Sequence, residues 1–229
     1  QTLYVLLGVA YLGGFPHLVR TWEAEGPDAA QRWLRRIAQG QGLLAGACCA
    51  VALPLSPWIA VLAFGPDVGA QAGPLMPWIA LAATLAGLRL FLCDLPFQLL
   101  KRSGVPLVGS ALVAACSLLG NLWLVPAHGA QGAAWVAAGA MALGLLFSYG
   151  LGRRSGLTPA LGADALKLLA CVALAAWTVH QLAPAAPGAR VALEFAALGA
   201  VALLGYGALA LALNLGGLRT WVLGRLRRR

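Results

Sequence analysis

Arg89 and Asp94 are the only charged residues in an apolar run covering 75–98. Insertion scales put a charge at a helix centre about 2.5–3.5 kcal/mol uphill, so Arg89 needs a partner or a watery cavity. A guanidinium matches phosphate geometry, which makes Arg89 a candidate anion contact. The plainer reading is an internal ion pair with Asp94. Five residues on an α-helix, however, place two side chains well off a common face. A partner acid elsewhere in a longer chain would satisfy Arg89 equally.

The remaining titratable residues point away from bond-breaking chemistry. Asp164 and Lys167 stand three apart and Arg190 and Glu194 four apart, spacings that suit structural pairs at helix starts. His128 and His180 are isolated, and neither is assigned a role. Cys48, Cys49, Cys93, Cys116 and Cys171 lie in apolar runs with no CxxC spacing and no nearby histidine pair, so neither a disulfide nor a metal is implied. No catalytic residue and no cofactor are expected.

The elements that carry these residues follow from composition. The chain has 229 residues, 61% hydrophobic and 10% charged, too little polar surface to wrap an ordinary water-soluble globule. Seven apolar runs occupy 3–19, 41–64, 75–98, 105–125, 131–151, 163–182 and 191–216. Each approaches the ~20 residues that carry a helix through ~30 Å of hydrocarbon. The expected class is all-α: a polytopic transmembrane bundle of about seven helices over 1–216.

Arginine is distributed unevenly between the runs. The first break carries Arg20, Arg32, Arg35 and Arg36, the third Lys101 and Arg102, the fifth Arg153 and Arg154. The second, fourth and sixth hold only Arg190, and a basic tail, 217–229, follows the last run. Positive charge is retained on the cytoplasmic side, so the tail and the odd breaks are expected there. The net charge of +9 therefore points to anionic headgroups of membrane lipids rather than to nucleic acid.

Local features refine this outline. Asp28 reads as a cap before an interfacial helix near 28–38, in which Trp33, Leu34 and Ile37 share a face and Arg32, Arg35 and Arg36 flank it. Pro54 and Pro57 predict kinks inside the second run. Trp58, Trp78, Trp123 and Trp177 fall toward outer ends, where an aromatic belt is expected. Gln1 is no natural start, and the first run lacks a signal peptide's charged leader and cleavage site, so the chain reads as beginning inside a larger protein.

The stretch 121–134 closes one run at Asn121 and Pro126, turns at Gly129, and opens the next with Gly132, Ala133 and Ala134. It resembles the Asn-apolar-Pro-x-x-Gly-x-x-Gly-Ala-Ala signature of bacterial polysaccharide and O-antigen flippases, a branch of the multidrug/oligosaccharidyl-lipid/polysaccharide exporter superfamily. Phe15-Pro16 before a charged break, and Phe64-Gly65 after a long run, are similar to further turns of that family, in matching order over 15–149.

The resemblance implies the second lobe of a two-lobed flippase, and the missing first half of the same protein as a partner. It further implies a location in the bacterial cytoplasmic (inner) membrane with the C-terminus cytoplasmic. The implied activity is transfer of undecaprenyl-diphosphate-linked oligosaccharide between leaflets by alternating access, without enzymatic chemistry. On that footing Arg89 would contact the diphosphate or acidic sugars, and Asp94 would couple transport to an ion. A drug exporter or peptidoglycan-precursor flippase of the same superfamily, and a membrane glycan polymerase or ligase, stand as alternatives.

Overall fold

The computed structural model describes residues 2–154, 156, 163–183 and 190–215, and the regular structure among them is entirely helical. In chain order the elements are α1 (Thr2–Glu25), α2 (Pro27–Ala52), α3 (Ser56–Ala72) and α4 (Met76–Leu88). A π-helical turn (Arg89–Cys93), α5 (Leu95–Leu99), α6 (Gly104–Arg154), α7 (Ala163–Leu182) and α8 (Val191–Ala212) complete them. The basic tail 217–229 lies outside the described residues, as does the side chain of Asp164.

Four stretches among the described residues are long and apolar enough to cross a membrane: Met76–Leu99, Gly104–Arg154, Ala165–Leu182 and Val191–Ala212. The pair α2 and α3, bent by 62°, counts as a fifth if taken as one broken span. The protein thus has the make-up of a multi-pass helical membrane protein, with its elements divided differently from the seven apolar runs.

One difference lies in α6, which joins the fourth and fifth runs. As a straight rod its 51 residues would reach ~76 Å, far beyond one hydrocarbon thickness. It is not straight. Gly129 has φ 55° and ψ −137°, outside the helical region. A β-carbon at Gly132 would lie 2.5 Å from the Leu124 carbonyl oxygen, and one at Gly120 would lie 2.8 Å from Val136. Gly109 likewise faces Phe147 and Ser148. All these pairs are centred on residue 128 or the bond after it, the register of two antiparallel arms. The arms cross closely because glycine removes the side chain at each contact.

The same device recurs in α3. Gly65, with φ 80° and ψ 172°, breaks the helix, and a β-carbon at Gly69 would lie 2.6 Å from the Val61 α-carbon. The second apolar run is therefore no single rod. Its helix stops at Ala52, turns through 53–55 and resumes at Ser56, as the expected kinks at Pro54 and Pro57 require. The stretch 28–38 is helical, but it is the opening of α2 and continues unbroken, since neither Gly40 nor Gly42 takes a positive φ. Asp28 sits in the first turn, one residue inside a helix that starts at Pro27.

The chain divides into two compact units. The first comprises Gln1–Gln41 and Trp78–Ala160, the second Gly42–Pro77 and Leu161–Arg229. In the first, fully buried Leu18, Ala30, Leu34 and Leu95 form a core flanked by Trp22, Trp33 and Leu99. The buried Gln41 amide donates to the Leu7 carbonyl at 3.1 Å, tying α2 to α1. In the second, Cys49, Cys171, Ala175 and Tyr206 share a core, and the Tyr206 hydroxyl donates to the Leu43 carbonyl at 3.0 Å. Nearby, Trp58 donates its indole N–H to Glu194 at 3.0 Å. None of the five cysteines is in a disulfide.

Placing a methyl group against a backbone carbonyl forces the arms apart, so Gly132→Ala is expected to destabilise the first unit by roughly 1–3 kcal/mol. Gly139→Ala, where a β-carbon meets nothing within 4 Å, is expected to be neutral or mildly stabilising. Thermal unfolding of both variants in detergent, followed by size-exclusion chromatography, checks the contrast.

Candidate functional site

The charged pair of the third run occupies a special piece of backbone. In an α-helix five residues rotate a side chain about 140° away from its starting direction, which separates Arg89 from Asp94. Here the Asp94 amide donates to the Arg89 carbonyl at 2.9 Å, an i→i+5 bond that closes a π-helical turn. The wider turn brings both side chains to one face, with Arg89 Nε 3.6 Å from Asp94 Oδ2. The misalignment anticipated for a regular helix is removed by one irregular turn.

Both residues are buried, Arg89 at 7% exposure and Asp94 at 1%. The arms of α6 complete the surroundings of the guanidinium. Nη2 donates to the Ser110 hydroxyl at 3.0 Å and to the Pro106 carbonyl at 3.3 Å, while Nε lies 3.4 Å from the Ser148 hydroxyl. Ser110 in turn donates to the Pro106 carbonyl at 2.9 Å. A β-carbon at Gly109 would lie 2.9 Å from Nη2, and one at Gly144 would lie 3.2 Å from Nη1. The guanidinium thus sits in a slot that exists because both arms carry glycine there.

The arrangement has one uncommitted atom. Asp94 Oδ1 is buried without a hydrogen-bond partner among the described residues, although its sister oxygen faces Arg89. A buried carboxylate with a spare oxygen can accept a proton or a cation, either of which would weaken its hold on the guanidinium. The site is a buried ion pair with one carboxylate oxygen left without a hydrogen bond. Among the described residues no three His, Cys, Asp or Glu side chains gather as a metal site.

The turn residues fall in different settings. Gly65 and Gly129 are the two reversal points, and Gly132 is the crossing contact of the second. Pro126 lies inside α6 just before its reversal, and Asn121 is exposed on the first arm. Pro16, expected near a helix end, lies inside α1, and the connection to α2 is made at Gly26 with φ 84°. His128 packs against the Trp135 ring at 5.2 Å, and Trp135 meets Trp78 edge-on at 6.4 Å.

Sequence reasoning overlooked Ser110, Ser148 and the Pro106 carbonyl. A signal existed in two serines within apolar runs, one beside Gly109 and the other four residues after Gly144. No known family model, curated protein or solved structure matches this chain.

Breaking a buried pair by truncating one partner strands the other charge. Arg89→Leu or Asp94→Leu alone is expected to cost about 3–5 kcal/mol of stability, and the double substitution much less than their sum. A double-mutant cycle on thermal unfolding in detergent measures the coupling, and additive single effects would rule out the pair as an energetic unit.

Proposed function

We propose that this chain forms the second lobe of a bacterial exporter that moves undecaprenyl-diphosphate-linked oligosaccharide from the inner to the outer leaflet of the cytoplasmic membrane. The observation that carries the reading is the reversal at Gly129. The stretch 121–134, which resembles the flippase signature, folds as helix, glycine turn and helix, with Gly132 crossing Leu124. Further support comes from Gly65, where the second motif also reverses the chain. The alternation of arginine between breaks favours a cytoplasmic C-terminus.

On this reading two lobes rock about a central path in alternating access. The Arg89–Asp94 pair serves as the charge relay. Uptake of a proton or cation at Asp94 loosens the ion pair, and the guanidinium, matched to phosphate, engages the diphosphate or acidic sugars of the headgroup. Return of the bare carboxylate restores the pair and lets the lipid go. No covalent bond of the substrate changes.

Deletion of the full gene is expected to hold lipid-linked glycan on the cytoplasmic face, as read by leaflet-specific labelling. The intact protein restores the distribution, while Arg89→Lys and Asp94→Asn, at matched protein levels, restore it weakly. An unchanged distribution in the deletion strain would remove the transport reading, whereas full rescue by both variants would remove only the relay.

A further inference from the structure

A second feature of the first unit has no part in the charge relay. Tyr4, Gly8, Tyr11 and Phe15 fall at helical spacings of four, three and four along α1, so they share one face. The absence of a side chain at Gly8 admits the Phe91 ring from the π-helical turn, whose tip would lie 3.1 Å from a β-carbon there. Phe91 then bridges Tyr4 and Tyr11, with ring centroids 5.1 and 5.3 Å apart, and Tyr11 continues to Phe15 at 5.1 Å. Four rings form a continuous strip extending ~16 Å along α1, about half the hydrocarbon thickness.

The strip has a polar edge. The Tyr11 hydroxyl donates to Gln98 Oε1 at 3.0 Å, and Gln98 is exposed. With its carbonyl oxygen engaged, the Gln98 amide turns its NH2 group to the other side. All four rings remain partly exposed. Phe91 lies within the apolar stretch Met76–Leu99, and Gln98, at its end and three residues before Lys101, stands at the membrane boundary, where water can reach the edge of the strip. A surface that combines ring faces with a tyrosine hydroxyl and an amide suits a ligand with both an apolar face and a polar rim.

Pyranose rings have that character, with C–H groups on the flat side and hydroxyls around the edge. We infer that the Tyr4–Phe91–Tyr11–Phe15 strip, with Gln98 at its edge, lines a water-filled path and is a stacking surface for the sugar rings of the transported glycan. This rests on the transport reading and adds where the sugars run. Arg89 addresses the phosphates from the other side of the same turn, and the strip addresses the carbohydrate.

Two experiments on the full-length protein test it. In a background with the natural cysteines replaced and transport verified, Gln98→Cys and Tyr11→Cys are labelled by a membrane-impermeant maleimide. Both are expected to react at least about tenfold faster than Leu12→Cys, a neighbouring position that is 69% exposed, because the thiolate reagent chemistry requires water. Equal or slower reaction would place the strip against lipid or protein and overturn the inference.

In the deletion strain, at matched protein levels, Tyr11→Leu and Phe91→Leu are expected to lower outer-leaflet glycan about fivefold to tenfold, whereas Tyr11→Trp stays near the native level. Leucine preserves apolar packing, so a structural strip would tolerate it. Native transport by the leucine variants would overturn the glycan assignment. Such a result leaves the transport reading standing, because that reading fails only if deletion of the gene leaves the leaflet distribution unchanged.

Discussion

A guanidinium inside an apolar span has few acceptable environments, and the architecture around Arg89 answers that constraint. Hydrocarbon offers no hydrogen bonds, so a buried charge is tolerated only with partners inside the protein. The solution uses three features at once. A π-helical turn rotates Asp94 toward Arg89, two serines and a prolyl carbonyl on α6 accept from Nε and Nη2, and Gly109 and Gly144 clear the space. Each feature is intelligible only through the others. The slot would be a void without the arginine, and the arginine would be stranded without the slot.

The slot in turn depends on the reversal of α6. Its two arms face each other in register because Gly129 adopts a backbone conformation that other residues rarely accept, and Gly132 lets the returning chain pass against the Leu124 carbonyl. A similar reversal at Gly65 builds the short α3 in the second unit. Glycine thus acts here at identifiable points of close backbone approach. Its frequency in the chain, 29 residues, reflects in part this need for contact without side chains.

The first unit carries two separate chemical features. A buried ion pair lies on one side of the π-helical turn, and a strip of aromatic rings with an amide edge lies on the other. On the proposed transport reading, the first addresses the phosphates of the headgroup and the second its sugars.

Much of this was legible in the residues alone. Apolar runs announced helices of membrane length, Pro54 and Pro57 announced the break between α2 and α3, and the lone charges of the third run announced Arg89 and Asp94 as the unusual pair. Local composition suffices there because desolvation acts on each residue where it stands. The pair stood as the plainer of the readings, but the geometry that makes it was not legible, because it depends on a one-residue change of helical register that composition does not encode. The prolyl carbonyl, serines and glycines that receive the guanidinium lie 17 to 59 residues away, and only the fold-back of α6 brings them together. The continuation of α2 past the interfacial stretch was likewise decided by tertiary packing, since Gln41 is held by a carbonyl of α1. Sequence by itself determined which residues are costly to bury in a membrane, and the tertiary structure decided which distant partners make that burial tolerable.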